Sequence, residues 1–154
     1  MNAIDDGPLV KIREVLATQG VLAVLRILNS RAPHRFTGIY RYTPELLKNV
    51  YLVDAFAPQL QKGDDVALED AYCMLLRDRR NVSFGDLEGA PCAAKLASPV
   101  VSYCGVLLVT SSGEPYGSLC HFDMHRCQKP ATEMPLLEIV APLIMEALEK
   151  TPPT

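Results

Sequence analysis

The sequence has no tryptophan, and aromatic residues fill only 6% of its 154 positions. Its five cysteines include no Cys-x-x-Cys pair. So odd and sparse a set excludes a disulfide scaffold. No apolar run approaches the ~20 residues that cross a bilayer, and the longest, Val21 to Leu28, is interrupted by Arg26. Excess positive charge is also lacking. Lys plus Arg number 15 against 18 Asp plus Glu, a net charge of −3, which excludes a dedicated nucleic-acid binder. The glycine-rich dinucleotide and phosphate loops, the His-Glu-x-x-His zinc helix and the Gly-x-Ser-x-Gly elbow are all missing. The opening residues Met1-Asn2-Ala3-Ile4-Asp5-Asp6 are acidic where a signal peptide is basic. These absences predict a reduced, cytoplasmic protein with no membrane and no nucleic-acid partner.

What is present is ordinary globular material, 49% apolar and 21% charged, in a length that one core can organise. The chain reads as a single domain, residues 1–154, with no internal repeat and no low-complexity segment.

Pro8 suits the first turn of a helix, where its missing N–H costs nothing. Leu9, Ile12, Val15 and Leu16 follow on one face, and Val21, Leu22, Leu25 and Leu28 repeat the pattern beyond Gly20. Two N-terminal helices within 8–31 are therefore expected, closed by Pro33. The period then changes. Arg35 to Tyr42 and Asn49 to Phe56 read as an antiparallel pair across the turn Thr43-Pro44-Glu45. Asp64 or Asp65 can cap a helix to Arg79, with Leu68, Tyr72, Leu75 and Leu76 apolar. Val82 to Phe84 is a short strand, and Gly85 to Ala97 is a long irregular stretch of the kind that covers sites. Val100 to Val109 and Tyr116 to Asp123 form a hairpin around Ser111-Ser112-Gly113. Glu133 to Lys150 is a helix with Leu137, Val140, Ile144 and Leu148 in phase. The sum is an α+β fold: a sheet region over 35–123 between N-terminal helices and a closing helix over 133–150.

A hairpin centred on Ser112 places Cys104 opposite Cys120, with Cβ atoms ~4.5–5.5 Å apart on one face. Ser102, Val106, Ser118 and Phe122 share that face, and Tyr103, Leu107, Leu119 and His121 take the other. Cys73, on the expected middle helix, can approach the same small, weakly polar surface. Three thiols together suit a soft metal or a redox pair. The competing account is simple packing, because free cysteine is among the most buried residue types. Cys92 lies in the covering loop, and Cys127 in an exposed loop. Asp86 either meets a ligand donor or closes an Asx-type turn. Arg77, Asp78, Arg79 and Arg80 suit the negative end of a helix dipole. His34, His121 and His125 are the only histidines. His121 alone falls in a strand, where a hydrogen-bonded structural role is the simpler account.

The run Ser102-Tyr103-Cys104-Gly105-Val106-Leu107-Leu108, then Gly113, then Gly117-Ser118-Leu119-Cys120-His121-Phe122-Asp123 resembles the signature hairpin of the GAF family. Val82-Ser83-Phe84-Gly85-Asp86 resembles that family's short strand ending in Asp, and the helix from Met134 resembles its closing helix. Leu107 stands where the family usually has Pro. The resemblance runs from about Gly20 to Lys150. It implies a central antiparallel sheet with the terminal helices on one face. A small-molecule pocket then lies on the other, under the middle helix and long loop. It further implies a sensory module, homodimeric through its N- and C-terminal helices, that signals through a separate partner. Cys73, Phe84, Asp86, Ser102, Cys104, Cys120 and Phe122 are the candidate ligand-binding residues, for a ligand and any cofactor that remain unknown.

One branch of the family reduces free methionine-(R)-sulfoxide, and Cys73 and Cys92 fall near its two cysteine positions. That branch holds its substrate with hairpin carboxylates, where this chain has Cys120 and Phe122. A thiol reductase using Cys92 and Cys73 is thus the alternative, and a ligand-free dimerisation or interaction domain is the second. The dipeptide Cys120-His121 resembles bilin attachment sites but lies in a core strand. Excess apolar surface on the terminal helices, from Leu9, Val10, Ile12, Val15 and Leu16 to Ile139, Leu143, Ile144 and Met145, supports the expected dimer.

Overall fold

A computed structural model describes residues 7–67, 81–84, 102–124 and 134–151 of the chain. Helix α1, Pro8–Gln19, starts with Pro8 in its first turn. Gly20 ends it with φ +92, a left-handed conformation that favours glycine, and the chain re-enters a helix at once. Helix α2, Val21–Arg31, buries Val21, Val24, Leu25 and Leu28, an apolar stripe of helical spacing. Helix α3, Met134–Lys150, buries Leu136, Leu137, Val140, Ala141, Ile144, Met145 and Leu148 and runs through Pro142. Pro142 lies on the exposed side.

Six strands form one antiparallel sheet: β1 Phe36–Tyr42, β2 Leu46–Asp54, β3 Val66–Ala67, β4 Asn81–Phe84, β5 Ser102–Val109 and β6 Pro115–Asp123. Their order is β3-β2-β1-β6-β5-β4. Helices α1, α2 and α3 contribute to one core with Ile39, Val53, Cys104, Val106, Leu108 and Leu119 of the sheet. The architecture is therefore the expected α+β one, with the N- and C-terminal helices on one sheet face.

Three local expectations change. The second strand begins at Leu46, because Thr43 closes the turn tightly: its N–H and Oγ1 both donate to the Leu46 carbonyl, at 2.9 and 2.7 Å. Val66–Ala67, expected in the middle helix, is a strand paired with Leu46 and Leu47. The remainder of that helix lies outside the described residues. The third change is one of register. The β5–β6 turn is centred on Ser112 as expected, with Gly113 at φ +87 and Thr110 N–H donating to the Glu114 carbonyl at 2.9 Å. Val109 then pairs with Pro115, but Leu108 pairs with Gly117. Tyr116 is an extra residue, a β-bulge, and every pair beyond it slips by one.

Candidate functional site

The slip redistributes the expected site. Cys104 pairs with His121, and Cys120 with Gly105, so the two cysteines lie on opposite faces. Ser102, Cys104 and Val106 face the helices with Leu119 and His121. Tyr103 and Leu107 share the other face with Ser118, Cys120 and Phe122. Tyr103, expected on the other face from Phe122, pairs directly with it. A site built of Cys73, Cys104 and Cys120 thiols on one surface is thereby ruled out. Among the described residues no three His, Cys, Asp or Glu side chains group as metal ligands.

The face away from the helices has a distinct chemistry. Its middle row, across three strands, is Gly38, Cys120 and Gly105. On one side of that row stand Phe36, Phe122 and Tyr103; on the other stand Tyr40 and Ser118. Phe36 and Phe122 stack with centroids 5.0 Å apart, and Tyr40 lies 6.2 Å from Phe122 at an inclined angle. Tyr103 lies across Gly105, where an added Cβ would sit 2.5 Å from its hydroxyl. The Cys120 thiol is fully buried and lies 3.8 Å from the Gly38 carbonyl, the geometry of a weak donor that is also packed. Phe84 lies on β4, paired with Tyr103. Cys73, Asp86 and Cys92 lie outside the described residues, as do the covering segments expected between 68 and 80 and between 85 and 101.

At one end of this face Asp54 binds Arg35 in a two-pronged ion pair, 2.7 and 2.9 Å. That hydrogen bond holds the Asp54 carboxyl below its ordinary range and raises the guanidinium. The guanidinium also lies over the rings of Phe36 and Phe56, at 4.8 and 4.5 Å, and Phe56 is itself exposed.

Sequence reasoning missed a polar cluster beneath the helices. Asn29 of α2 donates to Thr37 Oγ1 at 3.0 Å and to the Arg35 carbonyl at 3.2 Å. Thr37 Oγ1 lies 2.6 Å from His121 Nδ1. The His34 ring stacks on His121 with centroids 5.7 Å apart. Among the described residues, His34 Nδ1 and His121 Nε2 are buried with no hydrogen-bond partner. Burial, reinforced by the neighbouring His34, pushes His121 down to about 3. Burial also lowers His34, against the pull of Asp123. Both imidazoles are neutral at pH 7. No local signal finds this cluster, because His34 precedes β1 and His121 is 87 positions later.

No family model matches the sequence, and no curated protein matches it. Solved structures do. The GAF domain of an Acinetobacter phosphoenolpyruvate-protein phosphotransferase superposes with a TM-score of 0.73 at 10% identity, covering 97% of this chain and 96% of that one. A free methionine-R-sulfoxide reductase from Neisseria meningitidis, solved with its substrate, gives 0.70 at 17% identity over 92% and 86%. A putative GAF sensor protein from Burkholderia vietnamiensis gives 0.70 at 12% over 94% and 92%. The chain has a GAF fold. Among the described residues no helix is long and apolar enough to cross a membrane.

Proposed function

We propose that the chain is a sensory module that binds a small molecule reversibly on the sheet face bearing Tyr40, Tyr103, Ser118, Cys120 and Phe122, and that it signals through a separate partner. The observation that carries this reading is the side-chain division of the sheet. One face is aliphatic and filled by helices, while the other presents a Gly-Cys-Gly floor between aromatic walls. A few polar groups in an apolar, aromatic setting are what small-molecule sites are made of. Sensor and ligand-bound GAF structures share the fold, among them one with biliverdin bound. The test is native mass spectrometry of the intact chain, followed by thermal shift across a metabolite panel. A co-purifying or stabilising molecule whose effect is lost in Cys120→Leu, which fills the floor, supports the reading. No bound molecule and no shift would leave a ligand-free interaction domain.

The reductase-type structural neighbours favour a second reading, thiol-dependent reduction of free methionine sulfoxide by Cys92 with Cys73. Turnover abolished by Cys92→Ser supports it, and absence of turnover discards it. A homodimer through α1 and α3 is also proposed. Val10 is 62% exposed, and Leu9, Leu16, Ile139 and Leu143 are only half-buried, which leaves apolar surface for a second copy. A monomer by light scattering at high concentration removes that claim.

A further inference from the structure

A second cavity, of about 300 Å³, opens on the helix side of the sheet between the β1–β2 pair and the C-terminal end of α3. Arg41, Lys48 and Lys62 line it, with Tyr116 and Val50. Arg41 and Lys48 are directly opposed across β1 and β2. Like charges in that position repel and destabilise the pair. Yet the side chains of Arg41, Lys48 and Lys62 make no hydrogen bond or ion pair among the described residues. The only acid among the described lining residues, Glu149, is already engaged, accepting from the Ser111 N–H at 3.1 Å and from Ser111 Oγ at 2.9 Å.

The cavity is built by the backbone. Val50 is the extra residue where the β1–β2 register shifts, and Tyr116 is the extra residue in β6. Both bulges re-aim their side chains into the same space. Lys62 sits in a loop fixed on both sides of it: Gln61 accepts from the Leu52 N–H at 3.0 Å, and the Gly63 N–H donates to Asn49 Oδ1 at 2.8 Å. The Tyr116 phenol is half-buried and lines the same cavity as Arg41, so it adds a hydroxyl to the cationic lining. Met145 and Leu148 of α3 supply an apolar wall.

We propose that this cavity is an anion-binding site for a small, doubly charged molecule, held by Arg41, Lys48 and Lys62 with the Tyr116 hydroxyl. Three cations against one carboxylate leave two positive charges for the ligand to neutralise. Phosphomonoesters and dicarboxylates share that chemistry. The site is on the opposite side of the sheet from the face proposed above and stands or falls independently of it.

The test is calorimetric titration of the intact chain with inorganic phosphate and, separately, with succinate, at matched ionic strength and with acetate as the singly charged control. Saturable binding of either dianion, tighter than acetate, is expected. Phosphate alone points to a phosphate-bearing ligand, and succinate alone to a dicarboxylate. The double variant Arg41→Gln, Lys48→Gln should weaken binding about tenfold or more. No saturable binding of either dianion, or binding unchanged in the double variant, overturns the proposal. Lys48→Gln alone gives a second readout in ligand-free protein. Relief of the opposed charges should raise the melting temperature by about 1–2 °C. A fall would make the cations structural and overturn the proposal as well.

Discussion

The two faces of the sheet come from the same strands, residue by alternate residue, yet they differ in kind. Leu119 faces the helices, amid Val106, Ile144 and other aliphatic side chains. Its neighbour Cys120 faces away, between two glycines. Aliphatic side chains interdigitate closely, so the aliphatic part of the helix face is a packing solution, and the cavity lined by Arg41, Lys48 and Lys62 opens beside it. Glycine, cysteine and flat aromatic rings instead leave relief in a surface. The helix face also contains an exception to its own chemistry, the neutral His34–His121 stack, with two buried nitrogens that lack partners among the described residues. The difference teaches that the aliphatic core and the proposed sensory surface lie on opposite faces of one sheet, and each prediction below sets one against the other.

The largest effect is expected from acid. His121 titrates near 3 in the folded chain and near 6.5 when unfolded. Between these values the unfolded state binds more protons, so the stability is fully present above about pH 6.5 and is lost as pH falls toward 3. The whole shift is worth ~5 kcal/mol at order-of-magnitude level, with His34 acting in the same direction. Denaturant titrations from pH 7.5 to 3.5 should show the loss. In His121→Gln the slope with pH should be much shallower, and an unchanged slope would assign the acid sensitivity elsewhere.

Side-chain truncation compares the faces directly. Leu119→Ala removes a fully buried leucine from the helix core and should cost 2–5 kcal/mol, the range such cavities produce. Phe122→Ala removes more carbon from the other face. A recognition surface predicts a smaller cost, ~1–2 kcal/mol, below the usual range for a core phenylalanine, together with loss of any ligand-induced thermal shift. Equal or larger destabilisation by Phe122→Ala would make that face a second core. Asn29→Ala is the next step down. It removes the donor that joins α2 to Thr37 and to the Arg35 carbonyl, at a cost of about 1–3 kcal/mol measured by chemical denaturation.

Much of this division was legible in the sequence and some was not. Apolar spacing located the helices, since Val21, Leu25 and Leu28 keep their phase whatever lies above them. The hairpin Ser102 to Asp123 was visible from its turn residues and from its resemblance to the GAF signature. Which residues share a face was not visible. Tyr116 carries no local mark as a bulge, and one extra residue exchanges the two faces for the rest of the strand. The expected helix start at Asp65 failed for a related reason. Capping propensity is local, whereas Val66–Ala67 is fixed by pairing with Leu47 and Leu46, partners 19 and 21 residues away. The histidine stack was invisible because it joins two segments through space only.

Thiol reactivity is the finest probe of the comparison and the smallest expected effect. Cys104 and Cys120 are equally inaccessible, 1% and 0% exposed, so static burial predicts equal protection. Their surroundings differ. Cys104 is locked among helix residues that part only when the core opens, so it should be labelled at the rate of global unfolding. Cys120 belongs to the face proposed to admit a ligand. Such surfaces are drawn from the less stable end of a protein's local openings, so it should react about tenfold faster or more. Because the chain holds three further cysteines, Cys73, Cys92 and Cys127, the measurement is alkylation under native conditions followed by peptide mass spectrometry. A ligand for that face should slow Cys120 and leave Cys104 at its unfolding-limited rate. Equal rates for the two thiols, unmoved by any ligand, would mean that both faces open only together and that the division between them is compositional, not functional.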